Sequence, residues 1–161
     1  ARGRRLALDA AALNAAIDAC GKAEQWLWAL RVLQQMASHG TEADLVSHSS
    51  ATTACGRGAR WPLALELLEV LMHVQLRPDV IACNAAISAC AARGQWARAL
   101  ELLRRASGLS PRQGVVTYNA CFAALGQGHE WARALRLLGR MRSGAAVPDA
   151  VSCNTLVSAC G

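Results

Sequence analysis

Apolar and small side chains recur along this chain at i, i+3, i+4 and i+7, the stripe of an amphipathic helix. Residues 80–114 show the pattern most plainly. Cys83, Ala86, Ile87 and Cys90 form one stripe, predicting a helix from about Ile81 to Ala92. Arg93 and Gly94 break it. A second stripe, Trp96, Ala99, Leu100 and Leu103, predicts a helix that starts near Gln95. Its opposite face, Arg98, Glu101, Arg104 and Arg105, reads as solvated surface. Two amphipathic helices joined by a short break make a helical hairpin.

The hairpin repeats. Leu13, Ala16, Ile17 and Cys20 carry the first stripe earlier in the chain, and Tyr118, Cys121, Phe122 and Leu125 carry it later. Trp26, Trp61, Trp96 and Trp131 are spaced by thirty-five residues, as are Ala29, Ala64, Ala99 and Ala134. Leu30, Leu65, Leu100 and Leu135 keep the same step, and so do Leu33, Leu68, Leu103 and Leu138. A fixed period of this length means one supersecondary unit stacked on copies of itself, each burying its apolar face on its neighbours. The phase divides the chain into complete repeats at 10–44, 45–79, 80–114 and 115–149. Residues 1–9 are then expected to be the tail of a preceding repeat, and 150–161 the first helix of a fifth. Neither end carries a distinct polar cap, so the chain is expected to be a piece of a longer array.

Several residues refine the hairpin. Pro62 falls in the first turn of its second helix, where a missing N–H costs little. Pro78 and Pro148 precede the next repeat and are expected to end the second helix. Pro111 falls earlier in its own repeat. The alanine series places the smallest useful side chain at the centre of the contact, letting the two helices approach closely. The tryptophans are expected to pack between helices, with base stacking as the alternative. Trp28 lies outside their series and is expected to be partly exposed.

Composition narrows the partners. The formal net charge of +6 permits an anionic partner without demanding one. No run of eighteen uncharged apolar residues predicts a membrane span. Seven cysteines raise the question of disulfides or zinc. Cys20, Cys55, Cys90 and Cys160 recur in phase, with Leu125 at the remaining place, and no CxxC pair starts a zinc site. Buried free thiols in a reducing compartment are the favoured reading, with metal binding or disulfides as alternatives. The basic start, Ala1 to Arg5, falls in phase with the end of a repeat and is not read as a transit peptide.

The unit Val115-Val116-Thr117-Tyr118-Asn119-Ala120, followed by Ala134-Leu135, Leu138, Met141 and Pro148-Asp149, resembles the pentatricopeptide repeat consensus. Arg77-Pro78-Asp79 with Val80 to Ser88 resembles it too. The tetratricopeptide repeat is a poorer match, because its period is thirty-four and its tryptophan opens the first helix. The resemblance covers essentially the whole chain. It implies an all-α fold, a right-handed α-solenoid of stacked helix-turn-helix hairpins, that binds single-stranded RNA at one base per repeat.

The first helices carry a second stripe, mostly small or polar: Ile81, Asn84, Ser88 and Ala91, with Val46, Ser49, Thr53, Gly56 and Val116, Asn119, Ala123, Gly126 as equivalents. Stacked first helices would align it along one wall. Asn14, Ser49, Asn84, Asn119 and Asn154 hold one place in the stripe. A helix cap is the alternative role for such an Asn. By resemblance, this fifth residue of each repeat bonds a base edge and the last residue helps choose the base. The pairs are Asn14 with Asp44, Ser49 with Asp79, Asn84 with Gly114 and Asn119 with Asp149. An amide offers donor and acceptor, and a carboxylate only accepts and so orients it. The implied target is 5′-U-G-(pyrimidine)-U-(pyrimidine)-3′, with Gly114 leaving the third base loosely specified. Ala11, Val46, Ile81, Val116 and Val151 would sandwich bases, with ordinary packing as their alternative. Lys22 and Arg57 match a phosphate-contacting place that Ala92 and Gln127 leave uncharged.

His39, His48, His73 and His129 occupy four different places in the repeat and do not converge. HExxH, GxSxG, Walker and zinc-deaminase motifs do not occur, so no enzyme, cofactor, metal or small-molecule substrate is expected. A protein-binding scaffold is the rival reading, and partners could also engage the rest of a parent protein. The resemblance implies work on RNA processing or expression in mitochondria or chloroplasts.

Overall fold

A computed structural model of the chain describes residues 2–109, 114–144 and 146–161. Pro111 and Ala1 lie outside them. The described residues form α-helices and no strands: α1 (Arg2–Lys22), α2 (Trp26–Ser38), α3 (Leu45–Arg57), α4 (Trp61–His73), α5 (Val80–Ala92), α6 (Trp96–Leu109), α7 (Val115–Gln127), α8 (Trp131–Ser143) and α9 (Ala150–Cys160). The odd-numbered first helices pack directly on one another, α1 on α3, α3 on α5, α5 on α7 and α7 on α9. The described second helices approach first helices closely along the backbone but meet one another through side chains, as Arg105 of α6 does with Glu69 of α4. A row with closer spacing lies on the inside of a curve, so the first helices line the inner wall of an α-solenoid.

The first stripe is the core. Cys83, Ala86, Ile87 and Cys90 are buried, as are Tyr118, Cys121, Phe122 and Leu125. Ala29, Ala64, Ala99 and Ala134 have no exposed surface, which is the close helix approach that the alanine series predicts. Truncating Phe122 or Ile87 to Ala in such a core costs about 2–5 kcal/mol. Trp26, Trp61 and Trp96 pack half-buried against this core. Trp26 and Trp96 are each covered by the next hairpin, whose Gly58 and Gly128 leave room where a Cβ would stand 2.6 and 2.5 Å from the indole. Arg60 and Arg133 of those next hairpins stack on the same two rings. Trp131 has no following hairpin among the described residues and is 56% exposed. Trp28 is exposed, as expected, with Arg31 over its ring.

Helix endings differ from expectation. Pro62 does lie in the first turn of α4. Pro78 and Pro148, however, come five residues after α4 and α8 have already ended, at His73 and Ser143. A left-handed residue ends α2 and α4 instead, whereas α8 closes on Gly144 in extended backbone, with φ of −90°. Gly40 and Gln75 have φ of +67° and +58°, and Thr41 N and Leu76 N donate to Met36 O and Leu71 O, each at 2.9 Å. This is a Schellman closure, which satisfies orphan carbonyls before proline is reached. The hairpin turns use the same device at Glu24, Ala59, Gly94 and His129.

Two further expectations change. The tail assigned to residues 1–9 forms no separate element, because α1 runs unbroken through it. Asp9 stands in phase with Asp44 and Asp79, yet Leu6-Ala7-Leu8 offers helix formers where Arg77-Pro78 breaks the chain. The inner stripe also does not line the wall over its full length. Ala91 is buried, and Gly56 and Gly126 are wedged at first-helix contacts: a Cβ on Gly56 would meet Ala85 O at 2.6 Å.

Candidate nucleic-acid interface

The wall begins at the helix caps. Asp44, Asp79 and Asp149 are N-caps of α3, α5 and α9, and their side chains accept from Ser47 N, Ala82 N and Ser152 N at 2.8–2.9 Å. The acids therefore have a structural duty of their own. Those backbone donors, with Ser47 and Ser152 hydroxyls and the Asn amides, hold the Asp44 and Asp149 carboxyls below the ordinary carboxylate range. Gly114 caps α7 with no side-chain bond.

The asparagines are not caps. Asn84, Asn119 and Asn154 are the fifth residues of α5, α7 and α9, one turn inside the helix. Asn14, Asn84 and Asn119 are half-buried and Asn154 is exposed. Asn14 Nδ2 donates to Asp44 Oδ1 at 3.4 Å, and Asn119 Nδ2 to Asp149 Oδ1 at 3.3 Å. The carboxylate thus meets the amide directly, in two of the four predicted pairs.

Three hydroxyls complete the arrangement, and the pentatricopeptide pairing alone does not single them out. Ser47 Oγ reaches Asn14 Oδ1 at 2.5 Å, Ser152 Oγ reaches Asn119 Oδ1 at 2.6 Å, and Thr117 Oγ1 donates to Asn84 Oδ1. Each is the third residue of the following repeat, thirty-three positions beyond its Asn. That spacing was the available signal.

Ser49 is the exception on this wall. It is only 7% exposed, and its Oγ has no partner among the described residues. Asp79 caps Ala82 N without reaching it, and Ala82 supplies no hydroxyl. A cleft of about 220 Å³ beside it is lined by residues including Asp18, Gly21, Ser49, Thr53, Arg57 and Ile81. One predicted base reader, one sandwiching side chain and one phosphate contact therefore line a single opening. The sandwiching series stands free of the core: Val46, Ile81, Val116 and Val151 are 56–66% exposed, and Ala11 is exposed too. Ordinary packing does not describe them.

The two cations already have partners. Lys22 Nζ pairs with Asp18 at 2.7 Å, so a phosphate there competes with a carboxylate. Arg57 Nη1 donates to Gly21 O at 3.1 Å, one of its five N–H groups. The outer row is more basic, with a cavity of about 380 Å³ between α6 and α8 lined by residues including Arg104, Arg133, Arg136 and Arg140. None of the base-reading candidates lies there.

All seven cysteines are free thiols. Burial pushes Cys55, Cys83 and Cys90 up to about 11, and Cys121 to about 12, far from a reactive thiolate. Cys153 and Cys160 are exposed. The histidines fall at the α2 C-cap, within α3, at the end of α4 and in the α7–α8 turn. Among the described residues no cluster of three or more His, Cys, Asp or Glu could hold a metal, and no helix is long and apolar enough to cross a membrane.

A family model described as "Pentatricopeptide repeat-containing protein" matches residues 2–106, and one described as "PPR repeat" matches residues 116–144. No curated protein matches the chain. Among solved structures it is similar to the pentatricopeptide repeat protein PPR10 in complex with an 18-nucleotide psaJ RNA element, with 28% identity and a TM-score of 0.77. That alignment covers 93% of this chain and 22% of PPR10. A cysteine-to-serine variant of PPR10 in the same complex matches to the same extent. PPR10 from maize matches with 26% identity and a TM-score of 0.69, over 91% of this chain and 21% of that one. The chain thus spans about a fifth of the length of these relatives.

Proposed function

The chain belongs to the pentatricopeptide repeat family, and from that membership we propose that its inner wall binds single-stranded RNA, one base to each hairpin. The PPR10–RNA complexes support the ligand class. One observation carries the reading for this chain: Asn14 and Asn119 keep partly exposed amides whose oxygen and nitrogen are both held by neighbouring side chains. An amide held at both ends still has one acceptor lone pair and one N–H to offer, in a fixed order. That is the requirement for reading a pyrimidine edge. The exposed Val46, Ile81, Val116 and Val151 supply apolar surface on which bases rest.

The target sequence is 5′-U-G-(pyrimidine)-U-(pyrimidine)-3′, with the N-terminal hairpins toward the RNA 5′ end. The family pairing assigns the guanine to Ser49 with Asp79, a contact that requires the enclosed Ser49 Oγ to be uncovered. Asn154 reads the last pyrimidine, and Lys22 and Arg57 meet phosphates. The parent protein acts in RNA processing or expression in a mitochondrion or chloroplast, a setting that rests on the family alone.

Titration of a labelled RNA of this sequence against a scrambled one, at two salt concentrations, tests the reading. The expected result is tighter binding of the target, with a shallow salt slope of roughly −0.7 per phosphate neutralised. Asn119→Thr should then move the fourth-base preference from uracil toward guanine. Equal binding of both RNAs, or an unchanged preference in the variant, would contradict the assignment. Binding of a protein at this wall without competition from RNA would favour a scaffold instead.

A further inference from the structure

We infer that the hydroxyl at the third position of each following repeat, on Ser47, Thr117 and Ser152, is a positioning residue that sets which way the preceding asparagine presents its amide to the base. The inference rests on the RNA-reading role proposed for those asparagines.

The hydroxyls are buried, with Ser47 and Ser152 fully enclosed and Thr117 2% exposed. A buried hydroxyl must find partners. Ser47 and Ser152 close capping boxes with Asp44 and Asp149, whereas Thr117 follows a glycine cap and has no such box. All three reach the carbonyl oxygen of one Asn on the inner wall. The chain contains its own control. Every Asn with a described following repeat has Ser or Thr thirty-three residues on, whereas Ser49 has Ala82. Where no amide needs orienting, no hydroxyl is present, and Ser49 Oγ is left unpartnered.

The chemistry makes orientation matter. Uracil presents a donor at N3 beside carbonyl acceptors, and cytosine an acceptor at N3 beside an amino donor. For a base in one pose, turning the Asn amide by half a rotation exchanges the preferred pyrimidine. In the first and fourth repeats a carboxylate holds the amide nitrogen and a hydroxyl the oxygen. In the third repeat Gly114 offers no carboxylate, and Thr117 is left as the orienting side chain. That repeat depends on its hydroxyl most.

The experiment measures binding to RNAs that differ only at the third base, for the wild type, Thr117→Val and Thr117→Ser, with helix content checked by circular dichroism. Thr117→Val should reduce the preference for a pyrimidine over a purine at the third base at least about fivefold, leave discrimination at the second and fourth bases intact, and be rescued by Thr117→Ser. A uniform loss of affinity for all third-base RNAs would mark a purely structural role and overturn the inference. If Thr117→Val fails to fold, Ser49→Asn with and without Ala82→Ser tests the same point. Ala82 occupies the register in which Ser47 and Ser152 are already accommodated without exposure. The double variant should prefer uracil at the second base more strongly than the single one, and equal preference would overturn the inference. A wild type without preference at any base overturns the RNA reading and this with it; a wild-type preference that Thr117→Val leaves unmoved overturns the inference alone.

Discussion

The second and fourth repeats share a backbone plan and differ at the residues that face the inner wall. Both end in an aspartate that caps the next helix. In the fourth, Asp149 also reaches Asn119, and Ser152 holds the other end of the amide. In the second, Asp79 caps Ala82 N, and Ser49 sinks beneath the surface with an unpaired hydroxyl. The comparison separates two duties of one carboxylate. Capping needs only the aspartate, whereas fixing an inner-wall side chain also needs one long enough to meet it.

The two repeats differ as well in how tightly first helices approach. A Cβ on Gly56 would stand 2.6 Å from Ala85 O, a backbone atom, while one on Gly126 would stand 3.3 Å from Ala159 Cβ. Gly56→Ala should therefore force the helices apart, costing roughly 1–3 kcal/mol, more than the ~1 kcal/mol gained from helix propensity. Gly126→Ala should be neutral or stabilising. Urea midpoints of the two variants decide the matter, and a matched response would erase this difference between the repeats.

A smaller effect should appear with acid. The Asp44 and Asp149 carboxyls are held below the ordinary range, first by backbone donors and then by side chains. A depressed folded-state pKa contributes stability that is complete above the unfolded value of about 3.9 and lost as pH falls through the folded value. Stability from these two groups should therefore be level from pH 7 to 5 and decline below about 4. Replacing both with Ala should flatten that acid limb, as read from urea midpoints across the range. An unchanged limb would remove the caps as its source.

The smallest effect lies in the hairpin turns, which the two repeats share. Ala59 and His129 both adopt φ above +50°, a region that costs a side-chain-bearing residue about 1–2 kcal/mol. Glycine there recovers part of this but loses backbone entropy on folding. Ala59→Gly and His129→Gly should each raise stability by about 0.5 kcal/mol, equally in the two repeats. Unequal gains in thermal melts would mean that the turns are not equivalent.

Much of the molecule was legible in the chain. The stripe Cys83, Ala86, Ile87 and Cys90 foretold a buried helix face because apolar side chains three and four apart must share one side of a helix. The helix expected from about Ile81 to Ala92 spans Val80–Ala92. Helix ends were read less well. Pro78 drew attention as a terminator, but Gln75 ends the turn through its left-handed backbone, which no side chain announces. Gly56 looked like part of an open wall, because a residue's absence of bulk does not say which neighbour will press against it.

Periodicity alone determined the repeat, the pairing of helices and the series of residues held in register, since identical units stacked in order repeat their surroundings. What only the tertiary structure decided is how each amide is held. The partners of Asn14 and Asn119 come from the adjoining hairpin, and which side chains meet across that junction depends on how two helices lie against each other.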